Sequence, residues 1–406
     1  MSDPGASSQR RGQILIAVAI VLLGFNLRPA AVSIAPVLAE IRTDLGMSAI
    51  AAGLLTTLPV LCFALFGAFA PWLARRVGEH RTILGALLLV VLGLAVRPTL
   101  DSPWPFIAAS IPALAGMAMA NVLLPSLVKL HFPNRVGLMT SVYTTALAIG
   151  LTSTPISTVP ISNALGTWRD GLAVWAATAA VAAIPWLVLI RHDVRPELRP
   201  RSIRAGQVAR SPLAWAMAAL FGLQSLQAYA AFGWLPQVYR DAGFSASTAG
   251  LLLGLATGTA IPISFLLPSF AARRHNQASI TSTLTGCYAI GYGGLILWPT
   301  HVPWMWALFI GIGTGIFPLV LTMIGLRSRT PEGTAALSGF TQSVGYLLAA
   351  IGPFSVGVLY DWTGGWTAPL ILLIALLVPQ MIAGWLASKP RFIEDELPLG
   401  LARPSA

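Results

Sequence analysis

Twelve apolar runs, each about long enough to cross a bilayer, fill this chain and leave room for little else. Between charged or Pro/Gly-rich breaks they fall at 13–39, 49–73, 82–100, 104–129, 136–160, 169–190, 212–238, 247–271, 278–299, 302–326, 334–359 and 367–388. Of the 406 residues, 56% are hydrophobic and 10% charged; soluble domains carry about 25% charged residues. Strand-like alternation is absent, which argues against a transmembrane barrel. The expected fold class is an all-α membrane protein of twelve transmembrane helices embedded in the lipid bilayer.

The net charge of +11 could point to nucleic acid, but its distribution reads otherwise. With twelve spans, Arg10, Arg11, Arg75, Arg76, Arg81, Lys129, Arg135, the 191–210 cluster, Arg273, Arg274, Arg327, Arg329, Lys389, Arg391 and Arg403 fall on one side. Only Arg42, Arg97, Arg169 and Arg240 fall on or near the other. Cytoplasmic loops carry such an excess of Lys and Arg. The asymmetry places both termini in the cytoplasm of a plasma (inner) membrane protein and removes the case for nucleic acid. Cys62 and Cys287 lie inside spans and read as small apolar fillers. The Arg10-Arg11 start and its long apolar run read as an uncleaved first span.

The chain is a tandem repeat. Segment 44–55, DLGMSAIAAGLL, and segment 241–252, DAGFSASTAGLL, share eight of twelve positions at an offset of 197, among them Asp44/Asp241 and Gly46/Gly243. Arg76/Arg273 continue that offset; at 198, Pro155/Pro353, Ser157/Ser355, Gly166/Gly364 and Trp168/Trp366 match. Six spans is an even number, so both halves enter from the same side, as parallel repeats. The expected organisation is an N-terminal tail 1–12, a six-helix bundle 13–190, a cytoplasmic linker 191–211, a second bundle 212–388 and a C-terminal tail 389–406. The Gly250, Gly254, Gly258 row reads as a packing face for another helix of the chain.

Arg28 sits near the middle of the first span, in Gly24-Phe25-Asn26-Leu27-Arg28-Pro29-Ala30. A guanidinium at that depth costs about 2.5–3.5 kcal/mol on insertion scales. No carboxylate lies within a clearly intramembrane segment, so the sequence offers no evident internal partner. The expected partner is an anionic cargo. Pro29 after Arg28, and Pro125 four residues after Asn121, mark breaks that could bend their helices.

The loop Pro71-Trp-Leu-Ala-Arg75-Arg76-Val-Gly78-Glu79-His80-Arg81 resembles the short basic loop between spans 2 and 3 of the major facilitator superfamily. It departs from that pattern at Arg75, where the family has aspartate, and at Pro71, where it has glycine. Two roles stay open for Arg75, Arg76 and their repeat mate Arg273: setting topology, or gating. Asn26-Leu27-Arg28-Pro29, Asn121-Val-Leu-Leu-Pro125-Ser-Leu-Val-Lys129 and Gln224-Ser-Leu-Gln227-Ala-Tyr229 with Trp234-Leu-Pro236 resemble the cyanate and 2-nitroimidazole transporter family within it. The resemblance implies the two-bundle fold and transport of small anionic or polar solutes, a cyanate-like anion or a nitroimidazole-like heterocycle.

Span direction puts Asn26, Arg28, Gln224 and Gln227 at mid-depth, with Asn121 just below centre and Tyr143, Thr144, Gln342 and Tyr346 in the middle third. Parallel-repeat transporters bind at the midplane where the repeats meet. Arg28 is expected to clamp the anion bidentately. Asn26, Asn121, Gln224, Gln227, Tyr143, Gln342 and Tyr346 are expected around it, unless their amides only bond neighbouring helices. Trp234 would cap the cavity as a gate.

No GxxxxGK loop exists for ATP, and Gly311, Gly313 and Gly315 follow no strand, which rejects a dinucleotide site. No metal cluster, cofactor motif or catalytic set is present, so an enzyme is not expected. Acids and histidines lie in loops, termini or span ends; Glu40 is the nearest candidate for proton coupling. The leading expectation is a secondary active or facilitative transporter, working as a monomer by alternating access. The rivals are an exporter of an uncharged drug-like compound and a membrane sensor that moves nothing.

Overall fold

The computed structural model describes residues 4–47, 49–192, 203 and 205–397, and every regular element among them is helical. The principal helices are α1 (Pro4–Asn26), α2 (Ala49–Val77), α3 (Glu79–Val96), α4 (Pro103–His131), α5 (Val136–Leu165), α6 (Trp168–Leu189), α7 (Pro212–Asp241), α8 (Ala246–Gly258 continuing as Ala260–Ala272), α9 (Ala278–Leu297), α10 (Pro303–Gly313 continuing as Ile316–Leu326), α11 (Pro331–Ala349 continuing as Ile351–Thr363) and α12 (Thr367–Ser388). They fall into two compact units, one of Met1–Arg135 with Val142–Ser202, the other of Val136–Ser141 with Ile203–Ala406.

Helix starts follow local chemistry. Thr167, Ser211, Ser245 and Thr330 each accept a bond from a backbone N–H in the first turn of α6, α7, α8 and α11, the usual role of a hydroxyl cap. Proline opens α4, α7, α10 and α11, where its missing N–H costs nothing. The repeat is visible in the backbone. Gly46 and Gly243 both have positive φ (61° and 98°), and so do Gly166 and Gly364 (101° and 64°). Left-handed turns of that kind favour glycine, so both halves kept it at both bends.

In the first unit α4 is the core: every residue from Ala113 to Val128 is buried. A methyl on Gly93 or Gly116 would overlap the backbone of Ala113 or Ala86, so α3 and α4 cross at backbone contact. Such small-residue crossings replace hydrophobic drive between helices in lipid. In the second unit α7 takes the central place, buried continuously from Leu220 to Ala228, and packs on α11 and α12.

Eleven segments among the described residues are both long and apolar enough to cross a membrane. The remaining expected span is α7, whose 30 residues make about 45 Å of helix. Gln224, Ser225, Gln227 and Gln237 dilute its hydropathy. The first three are buried, and a helix enclosed by its own bundle needs little apolar surface for lipid.

Two sequence expectations need correction. The first span is not one helix over 13–39: α1 ends at Asn26, and short helices follow at Pro29–Val32, Ala35–Val37 and Leu38–Asp44. Pro29 has no N–H to give, and the residue before a proline is pushed from helical geometry; Arg28 sits at φ −124°, ψ −36°. Among the described residues of its own unit, the Gly250, Gly254, Gly258 row makes no close helix crossing, since a methyl built on any of the three has nothing within 4 Å. The close crossing falls instead at Gly311, whose added methyl would press on the Ala256 carbonyl, joining α8 to α10. Residues 4–12 are helical, as the start of α1, and Ile393–Glu396 forms a short helix. Of the linker, 193–202 and 204 lie outside the described residues, and Ala205–Val208 makes a single turn.

Candidate substrate site

Arg28 stands at the break in the first span, half-buried, with Nη1 donating to the Leu27 carbonyl at 3.1 Å. The break is built from both sides. Leu27 N reaches back only three residues, to Gly24 O at 3.3 Å, while the N–H groups of Ala31 and Val32 both take the Arg28 carbonyl at 3.0 Å. The guanidinium is thus carried on a turn, where its direction is set by backbone geometry instead of helical phase.

Within the first unit, three other expected residues lie in the bundle interior. Asn26 is buried; its Nδ2 donates to Leu22 O at 2.9 Å and its Oδ1 accepts from Thr178 Oγ1 on α6 at 2.9 Å. Tyr143 on α5 is buried beside α1, because a methyl on Gly24 would lie 2.8 Å from the Tyr143 carbonyl oxygen. Gly150 meets the Phe25 backbone two turns further along. The tight α1–α5 crossing therefore brings Tyr143 to the level of the break. Asn121 is buried in mid-α4, and Thr144 is buried next to Tyr143.

The second unit holds the matching crossing. A methyl on Gly222 would lie 2.9 Å from the Gly345 carbonyl oxygen, so α7 and α11 touch at backbone distance; Gly222 stands 198 residues after Gly24. Around it lie Gln224, whose Oε1 accepts from Ser225 Oγ at 3.3 Å, and Tyr346, edge-on to Phe221 with ring centroids 5.0 Å apart. Gln342 is fully buried and donates to Ser338 Oγ at 2.8 Å, one turn back on α11. Gln227 is also fully buried, and its Nε2 donates to the Leu373 carbonyl on α12 at 2.9 Å. Asn26 and the Gln227 amide nitrogen thus bond fixed helix partners in their own units, the alternative that the sequence left open for these amides, while the buried Gln227 Oε1 has no partner among the described residues.

The expected gating residues are dispersed. Arg75 is half-buried at the end of α2; Arg76 is exposed, its guanidinium 4.5 Å above the Trp72 ring. Arg273 is exposed at the end of α8. Among the described residues no carboxylate pairs with any of the three. Trp234 is wedged inside the second unit, donating to Pro353 O at 3.0 Å and lying 5.8 Å from the Trp366 ring. It borders a small pocket, about 20 Å³, with Ala231, Tyr292, Val356 and Leu370, an apolar lining with no charged group to hold an anion.

Sequence reasoning missed Arg97. It was counted with the cations at a membrane face, yet it is fully buried, donating from Nη1 to Ala30 O at 2.9 Å and from Nη2 to Ser33 Oγ at 2.8 Å. The available signal was its place inside the apolar run 82–100.

Comparison with known proteins agrees with this architecture. The chain is 38% identical over 377 residues to an uncharacterised transporter, YycB, of Bacillus subtilis (strain 168), covering 92% of this chain and 93% of that one. It is 35% identical to the 2-nitroimidazole transporter of Escherichia coli (strain K12), covering 94% and 98%. To the cyanate transport protein CynX of the same organism it is 28% identical, covering 88% and 94%. The fold superposes on the proton:xylose symporter XylE with a TM-score of 0.72 at 12% identity, covering 96% and 98%. The E. coli fucose:proton symporter FucP gives 0.72 at 15%, covering 93% and 100%. The family description Major Facilitator Superfamily matches residues 14–353. With two six-helix units that repeat one another, and relatives that are transporters rather than enzymes, this chain belongs to the major facilitator superfamily, the multi-pass membrane transporters of small solutes.

Proposed function

We propose that the protein moves a small anionic or polar solute across the plasma membrane by alternating access, as a monomer with both termini in the cytoplasm. The single observation that carries this reading is Arg28, half-buried on the helix break between Asn26 and Pro29. A cation that a helix is broken to present, in a chain whose spans are otherwise nearly free of charge, suits a solute with negative charge. The names of two E. coli relatives, one for cyanate and one for 2-nitroimidazole, support a solute of that size. A cyanate-like anion or a nitroimidazole-like heterocycle is small enough to be held by one guanidinium and a few amide or phenol groups.

In this reading Arg28 binds the solute, and Asn121 and Gln224 orient it with help from Tyr143, Gln342 and Tyr346. Asn26 and Gln227 brace the helices that carry these groups, because their donors are already committed. Arg75, Arg76, Arg273 and Trp234 act on the gates instead of on the solute. Direct drive by ATP has no support in the sequence; the solute gradient, exchange or a coupled proton supplies the energy.

The test is uptake of labelled cyanate and of labelled 2-nitroimidazole into liposomes holding the purified protein. Saturable uptake of either supports the reading, and its loss in Arg28→Ala supports the site. Full uptake by Arg28→Ala would discard the site, and binding without flux would make the protein a sensor.

A further inference from the structure

Arg97 is a fully buried guanidinium with no counter-charge among the described residues. Both of its acceptors, the Ala30 carbonyl and the Ser33 hydroxyl, are neutral, and among the same residues its buried Nε has no acceptor. Carboxylates are at hand in the same unit: Asp101 lies four residues on, and Asp44 closes the first span. Both pair with Arg169 at 2.9 Å instead, in a more exposed place. The other deeply buried arginine, Arg327, reaches two carbonyls and the Gln277 amide oxygen. Arg97 is thus the less well compensated of the two.

Burying a cation in this way is costly, and an apolar residue of similar volume would often serve stability better. A tie between α3 and the first span could be made by a neutral amide. What a guanidinium adds is charge, and the charge is fixed in the low-dielectric interior, where electrostatic effects reach furthest. Its two bonds fall on residues two and five positions beyond Arg28, on the short helix and turn that follow the break. The repeat separates this feature from the scaffold. At offsets 197 and 198 Arg28 maps to Ser225 and Leu226, and Arg97 to Gly294 and Leu295, none of them charged. Scaffold positions such as Gly46/Gly243 and Gly166/Gly364 kept their identity.

We propose that Arg97 is a positioning and specificity residue: it holds the segment behind Arg28 and adds a second, uncompensated positive charge that makes the site prefer anions to neutral solutes of similar size. This rests on Arg28 being the solute contact. The expected optimum of the site is a single negative charge.

The experiment compares KM and Vmax at about pH 6, where cyanate is anionic and 2-nitroimidazole keeps its acidic ring N–H and is mostly neutral, in liposomes holding wild type, Arg97→Met, Arg97→Lys or Arg28→Ala, each normalised to folded protein. Arg97→Met is expected to raise the cyanate KM about tenfold or more, the scale of one lost charge at short range in a protein interior, and to leave the 2-nitroimidazole KM nearly unchanged. Arg97→Lys keeps the charge and is expected to keep the anion preference. Parallel losses for both solutes, with no rescue by lysine, would mean a structural tie only and overturn the proposal; so would a cyanate KM that Arg97→Met does not move. If Arg97→Met fails to fold, the Lys variant decides: loss of the anion preference by a folded Arg97→Lys also overturns it. Intact cyanate uptake by Arg28→Ala, or no uptake of either probe by wild type, brings down the Arg28 reading and this inference together. Loss in Arg28→Ala with no change of preference in Arg97→Met brings down this inference alone.

Discussion

The indole N–H of Trp366 donates to the Asp241 carboxylate at 2.8 Å, and the indole N–H of Trp168 donates to Asp44 at 3.2 Å. These are the same pair in the two halves, at offsets of 198 and 197. In each unit the pair joins the end of the first helical segment to the start of the sixth, so it closes the bundle on itself. The surroundings have diverged. Asp241 also accepts from Tyr360 Oη at 2.8 Å and Gln237 Nε2 at 2.7 Å, whereas Asp44 accepts from Arg169 at 2.9 Å.

Asp241→Ala removes three hydrogen bonds, but all lie at an exposed end. The expected cost is about 1–2 kcal/mol, less than the simple sum of charge-assisted bonds because water competes there. Thermal melting of the detergent-solubilised protein should fall by a few degrees, and Trp366→Phe should lose about a third of that. A melt unchanged by Asp241→Ala would mean that the closure is ornamental.

The glycines divide sharply. A methyl at Gly116 would overlap the Ala86 carbonyl oxygen, and backbone cannot step aside without shifting α3 against α4. Gly116→Ala should therefore cost about 1–3 kcal/mol through overpacking. Gly250→Ala meets open space and should be neutral or mildly stabilising, since alanine is the better helix former by about 1 kcal/mol. Melting curves of the two variants side by side check this; equal destabilisation would restore the packing role that the GxxxG spacing suggested for Gly250.

At Arg28, both Arg28→Ala and Arg28→Lys should lose uptake while eluting as folded protein. Lysine keeps the charge but not the planar fork that can grip an anion through two parallel N–H donors. Wild-type uptake by Arg28→Lys would show that only charge matters at the break.

The acidic stretch 394–396 caps two helices of its unit. Glu394 Oε1 accepts from the backbone N–H groups of Arg329 (2.9 Å) and Thr330 (3.0 Å) at the start of α11. Glu396 Oε2 accepts from Ser211 Oγ (2.6 Å) and Leu213 N (3.0 Å) at the start of α7. Asp395 bonds the Arg329 guanidinium and holds it above its ordinary pKa. Carboxylates at helix N-termini satisfy orphan donors and complement the dipole. Glu394→Ala and Glu396→Ala should each lower stability by about 1–2 kcal/mol, and deletion of residues 390–406 by more. A deletion variant that melts with wild type would refute the capping role.

Much of the architecture was written in the residue order. Apolar run lengths give spanning helices because a backbone in hydrocarbon must satisfy itself within each segment, and this is a local property. The duplicated DxGxSAxxAGLL segment gives two matching bundles, since the same glycine and aspartate positions demand the same turns and caps in each half. Arg28 also stood out, because a cation in an apolar run is costly wherever the chain goes.

What the tertiary structure alone decided is which polar groups already have partners. Asn26 with Thr178, Gln227 with Leu373, Arg97 with Ala30 and Arg97 with Ser33 are contacts between residues 152, 146, 67 and 64 positions apart. No periodicity encodes such pairings. They follow from how helix faces rotate to bury glycine against backbone, as at Gly24 with Tyr143 and Gly222 with Gly345. Buried polar groups then take whatever acceptor that rotation brings within reach, which is why an arginine counted at the membrane face ends in the interior behind the break.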